Sequence, residues 1–114
     1  IIAMRPVGGG DVRTLRDTPR TGHSAYIQQR AAEVAPIFER SGLASWTEFC
    51  VRFALSFALE RGTVGATARP ENLEEFLRAA KGWEQLPQDL IDPILALHER
   101  WSDEVALKAE PWTM

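Results

Sequence analysis

The residues best suited to chemistry lie in two short stretches. The first is Arg5-Pro6-Val7-Gly8-Gly9-Gly10. Glycine has no Cβ, so three in a row let the backbone come close to a ligand or to another backbone. The same run also reads as a plain flexible loop. The second is Thr67-Ala68-Arg69-Pro70-Glu71-Asn72-Leu73-Glu74-Glu75. Pro70 stands at the first turn of an expected helix. A helix start presents unpaired N–H groups and favours an anion, and Arg69 is the one cation inside the stretch. Good helix capping accounts for the same residues, and the two readings are compatible.

The remaining reactive side chains form no constellation. Tyr26 is the only tyrosine, and His23 and His98 have no matched partner. His23 reads as a loop or capping residue and His98 as a helix-surface residue. Cys50 is the only cysteine, so an internal disulfide is excluded, and no Cys/His spacing suits zinc. It falls in an apolar stripe, where a buried inert thiol is expected. A reducing, cytoplasmic setting follows. Trp46, Trp83 and Trp101 read as packing residues. Trp112 is the candidate for a substrate or subunit contact.

These stretches need elements to position them. Ile1–Met4 is a short apolar run ended by Arg5-Pro6, which suits a buried strand, although periodicity does not separate it from a helix end. Residues 11–22 are polar and read as a loop. A helix is expected from Ser24 to Arg40, kinked or split at Pro36 and closed by Ser41-Gly42. Ser45-Trp46-Thr47-Glu48 has the capping-box pattern. The helix after it carries Trp46, Phe49, Cys50, Phe53, Ala54 and Phe57 at helical spacing, widened by Val51, Leu55 and Leu59, which implies burial on more than one side. Thr63–Thr67 is a weak strand. Another helix opens at Pro70, with Leu73, Phe76, Leu77 and Ala80 as its buried side, and ends at Lys81-Gly82. A last helix starts at Leu86-Pro87 and reaches Trp101, with a loose tail over 102–114.

The chain has 114 residues, a length for one domain, and a net charge of −3, which argues against a general nucleic-acid surface. With 45% hydrophobic and 25% charged residues it belongs with folded globular chains. No apolar stretch spans a membrane and no signal peptide is visible. The chain starts at Ile1 as if in mid-core, which suggests a processed piece or one part of something longer.

In order and spacing, three stretches resemble the C-terminal third of the aldo/keto reductase family: Ile2 to Gly10, Phe53-Ala54-Leu55-Ser56-Phe57, and Arg61 to Glu75. The resemblance covers residues 1–101. It implies an α/β fold, the C-terminal part of a (β/α)8 TIM-type barrel, mostly helical in this portion. It implies a cofactor, NADP(H) or NAD(H), and a small carbonyl or alcohol substrate. Arg5, Val7, Gly8 and Gly9 would face the pyrophosphate. Thr67, Arg69, Asn72 and Glu75 would face the adenosine. Ala66 stands where the family often has Lys, Asn72 where it has Arg or Gln, and Phe76 where it has Asn, so selectivity for NADP(H) is expected to be modest. The family's Asp, Tyr, Lys and His for hydride and proton transfer have no counterpart here, so the catalytic set would lie outside this chain, in the remainder of the barrel. The alternative is a non-enzymatic, mainly helical protein-interaction domain, with residues 11–20 and the wide apolar helix as its partner surface.

Overall fold

Asp11 starts the first helix. Its backbone is extended and its carboxylate accepts from the Arg13 N–H at 2.8 Å, the geometry of an N-cap. The computed structural model, which describes residues 3–4, 10–19, 21–57, 62–65 and 67–108, places α1 at Val12–Asp17. Thr18 closes it by donating to the Thr14 carbonyl at 2.7 Å. The loop expected over 11–22 is therefore half helix. Val12 and Leu15, one turn apart, give it an apolar edge, and Val12 is buried in the core.

Helix α2 (His23–Arg40) begins after Gly22 at φ +62°, so Ser24 lies inside its first turn rather than at the cap. Pro36 neither ends nor splits it. Pro36 and Ala32 are both exposed, so water can replace the donor that proline removes from the Ala32 carbonyl. Ala31, Ala35 and Phe38 line the buried face at helical spacing. Gly42 follows the helix in the left-handed region, φ +73°, as expected for a glycine C-cap.

Ser45 caps α3 (Trp46–Leu55) by accepting from the Glu48 N–H at 3.1 Å. The reciprocal half of the capping box is replaced by an ion pair, since the Glu48 carboxylate takes Arg52 at 2.6 Å. Phe49 and Val51 are 2% and 0% exposed. They point about 200° apart around the helix axis, so α3 is covered on two sides. Phe38, Trp46 and Phe49 form an aromatic cluster with ring centroids 5.3–5.5 Å apart. Helix α4 (Pro70–Lys81) packs on α3.

Helix α5 (Gln88–Lys108) delivers Leu90, Ile91 and Ile94 to the core, together with Leu86 before it. Ser56 Oγ accepts from the Leu86 N–H at 3.0 Å and ties the end of α3 to this segment. Further along, α5 locks onto α2. Arg30 lies against the rings of Tyr26 and Trp101 and meets Glu104 at 2.8 Å, while Glu33 receives Arg100 and the Trp101 indole N–H. The helix runs past residue 101, so the first part of the expected tail is ordered helix.

Strand β1 (Ala3–Met4) pairs in parallel with β2 (Thr63–Val64), Ala3 opposite Thr63 and Met4 opposite Val64. This two-residue pair is all the strand structure among the described residues. The fold is accordingly helical, and the expected portion of a (β/α)8 barrel is corrected. The wide apolar stripe of α3 needs cover on more than one side. That cover comes from α2 and α4 of the same chain, and the core gathers side chains of α1, α2, α3 and α5. Leu73 and Leu77, expected on the buried side of α4, are 48% and 57% exposed, and Trp83, expected in packing, is 43% exposed. Ala79 is the buried residue of that helix. Among the described residues no helix is long and apolar enough to cross a membrane.

Candidate functional site

Two helix starts meet at one cleft. Ser45, Trp46 and Thr47, from the cap and first turn of α3, form one wall, and Asn72, Leu73, Glu75 and Phe76 of α4 form the other. Gly10 and Asp11 close one end, and Gly65 and Thr67 line the approach to α4. The cavity is about 390 Å³, within the range of small-molecule sites.

A chain of hydrogen bonds sets its polar side. Ser45 Oγ donates to Glu75 Oε1 at 2.6 Å, linking α3 to α4. Thr67 Oγ1 accepts from the Arg69 N–H at 3.2 Å and faces the Asn72 amide nitrogen at 3.5 Å. This turn carries the chain from β2 into the first turn of α4. At the far end Arg13 holds Asp11 through a 2.8 Å ion pair, stacks 5.0 Å from the centre of the Phe38 ring, and donates to the Ala44 carbonyl at 3.3 Å. The hydrogen bond from Arg13 keeps the Asp11 carboxyl below its ordinary value against a smaller opposing effect of burial.

The apolar side is aromatic. Trp46 belongs both to the core cluster and to the cleft wall, and its indole N–H is buried without a hydrogen-bond partner among the described residues. Gly65 sits directly under Phe76. A Cβ there would lie 3.0 Å from the Phe76 ring, so glycine at this position lets the ring close the wall.

Of the residues singled out from sequence, Thr67, Asn72 and Glu75 come together in this cleft. Arg69 caps α4, exposed and outside the lining. Arg5, Val7, Gly8 and Gly9 lie outside the described residues, as do Ala66 and Trp112, while their neighbour Gly10 lines the cleft. Sequence reading missed Asp11, Ser45 and Thr47. The signal for Ser45 was its capping pattern, which fixes a helix start but says nothing about what else the hydroxyl does.

Elsewhere the titratable groups are structural. Burial pushes the Cys50 thiol well above its ordinary value. Tyr26 Oη accepts from Arg30 at 2.7 Å, and His98 is exposed on α5. Burial works against the Arg30 charge, but the Tyr26 hydroxyl and the Glu104 carboxylate hold its pKa above the ordinary value. Among the described residues no three His, Cys, Asp or Glu side chains gather as a metal site requires. The lining thus carries the carboxylates of Asp11 and Glu75, the amide of Asn72, the hydroxyls of Ser45, Thr47 and Thr67, and the aromatic side chains of Trp46 and Phe76.

No family model matches this chain, and neither a curated protein nor a solved structure is significantly similar to it.

Proposed function

We propose that the cleft between α3 and α4 receives the adenosine end of a nicotinamide dinucleotide, NAD(H) or NADP(H). The domain would thereby serve an oxidoreductase that acts on a small carbonyl or alcohol in the cytoplasm. The observation that carries this reading is the meeting of Thr67, Asn72 and Glu75 with Gly10 and the aromatic side chains of Trp46 and Phe76 in one cleft. The chemistry of the lining fits the group. Glu75 accepts from an exocyclic amine, Asn72 both donates and accepts, and Trp46 and Phe76 give faces for the ring to pack on. Arg5 and the glycine run Gly8-Gly9 would hold the pyrophosphate, through a charge-assisted bond and close backbone N–H groups. Bound in this way, the cofactor's nicotinamide ring would supply or accept hydride. The groups that hold the substrate and move its proton would come from outside the described residues.

The test is a titration of NADH and NADPH, followed through tryptophan fluorescence. Glu75→Ala should weaken both dinucleotides by about ten- to a hundredfold, the range for one hydrogen bond to a charged group. Arg69→Ala should weaken NADPH more than NADH, because NADPH alone carries a 2′-phosphate for the cation at the start of α4 to meet. Absence of binding by the unmodified protein overturns the reading.

One observation favours a second reading, a helical interaction domain. Leu73 and Leu77 stand exposed one turn apart on α4. Of the surface expected for such a role, residues 12–17 form helix α1, and Phe49, Cys50 and Val51 of α3 are buried. Under this reading Leu77→Ser would abolish association with a partner, and neither dinucleotide would bind.

A further inference from the structure

The outward face of α4 carries leucines and charges that the rest of the fold does not use. Leu73 and Leu77 are 48% and 57% exposed, while Ala79, on the opposite side of the helix, is buried. At about 100° per residue, Glu74 and Lys81 lie on one flank of Leu77, and Leu73 and Ala80 lie on the other. Glu74 and Lys81 are exposed, and among the described residues neither makes an ion pair. Glu74 stands four residues before Arg78, yet the two do not pair as Glu48 with Arg52 and Arg100 with Glu104 do at that spacing. The signs are divided along the axis, with Glu71 and Glu74 in the first half of the helix and Arg78 and Lys81 in the second.

We propose that this face binds a second copy of the chain, α4 against α4, antiparallel about a two-fold axis at Leu77. The inference does not rest on the dinucleotide reading; it names the partner for the exposed leucines of α4. In an antiparallel pair the same flanks of the two helices meet, and positions before the axis face positions after it. Leu77 then meets Leu77 of the second copy. On one flank Glu74 comes beside Lys81 of the second copy. On the other, Leu73 comes beside Ala80 of the second copy, whose small side chain leaves room for the leucine. Symmetry makes each flanking contact twice. A parallel pair would set Glu74 against Glu74 and Lys81 against Lys81, so the charge order of α4 selects the antiparallel one. A partner of a single sign would match only half of this face.

The experiment is sedimentation velocity of the full chain from about 10 μM to about 1 mM, because a contact of one helix pair falls at the weak end of protein interfaces. The unmodified protein should pass from monomer to dimer over that range. Leu77→Asp should stay monomeric throughout with its helix content retained, since this side chain lies outside the core. Glu74→Lys and Lys81→Glu each turn two attractions into two repulsions, and each should weaken dimerisation by about tenfold. An equimolar mixture of these two variants again sets opposite charges together on the shared flank and should dimerise about as well as the unmodified protein. A folding defect in either variant would not produce that recovery. An unmodified protein that stays monomeric across the range overturns the proposal and leaves the face to a different partner. A dimer that persists in Leu77→Asp, or a mixture that fails to recover, also overturns it. Whether NADH binds changes none of these outcomes, so the dinucleotide reading is judged separately.

Discussion

Asp11 shows how one side chain serves the fold and the cleft together. It caps α1, pairs with Arg13, and closes one end of the cavity. Its pKa is lowered from 3.8, chiefly by the hydrogen bond from Arg13, so the folded state binds its proton less readily than the unfolded chain does. The stability it supplies is complete above the ordinary carboxylate value and is lost as the pH falls through the lower, folded value. Asp11→Asn keeps a capping side chain and removes the charge. Urea midpoints should therefore differ between the two proteins at neutral pH and converge as the solution is acidified through the lowered, folded-state value. A gap that stays constant would mean that the charge of Asp11 is not what stabilises α1. None of this was legible in the sequence, where Asp11 stood among arginines in a polar stretch. Thr67, Asn72 and Glu75 stand out in the sequence only through the family resemblance, and their closeness follows from chain locality, since all three lie within the approach and first two turns of α4. Ser45 was visible only as a cap, since its bond to Glu75 spans thirty residues of sequence.

At the level of elements, periodicity located every long helix, and packing decided which residues are interior. The apolar stripe of α3 pointed to Phe53 and Leu55 as much as to Phe49, yet Phe49, Cys50 and Val51 are the buried residues while Phe53 and Leu55 are half-exposed. Phe38 is 1% exposed and touches both Trp46 and Phe49. Phe38→Ala should cost about 3–5 kcal/mol in chemical unfolding, and Phe53→Ala distinctly less. Equal losses would mean that Phe53 is packed as fully as Phe38. Of the short strands, β1 was legible as an apolar run and β2 only as a weak strand of small residues. What they amount to was not, because so short a stretch reads alike whether it belongs to a full sheet or to a pair alone. That Pro36 leaves α2 unsplit was illegible for a comparable reason. The sequence marks the missing N–H, while the tolerance comes from its solvent-facing position.

For the whole molecule, the seam between α2 and α5 decides whether the domain unfolds as one body. Glu33 joins Arg100 and Trp101, and Arg30 joins Tyr26, Trp101 and Glu104, so this seam carries charged groups where the buried core is apolar. Glu33→Ala leaves the Trp101 indole and Arg100 without their partner and should destabilise the protein by about 1–3 kcal/mol. Thermal melts of the 114-residue chain should show one helical transition, shifted to lower temperature in the variant but still single. Two separate transitions would mean that α5 docks as an independent unit.

The parallel pairing of Ala3–Met4 with Thr63–Val64 has a kinetic consequence. It closes a loop of about sixty residues with a pair only two residues long. The entropy of that closure exceeds what so short a ladder returns, so the contact waits until α1, α2 and α3 have docked and shortened the distance between its ends. It is the last stitch in folding and the first to open, and under tension applied at the beginning of the chain it parts before any helix is pulled from the core.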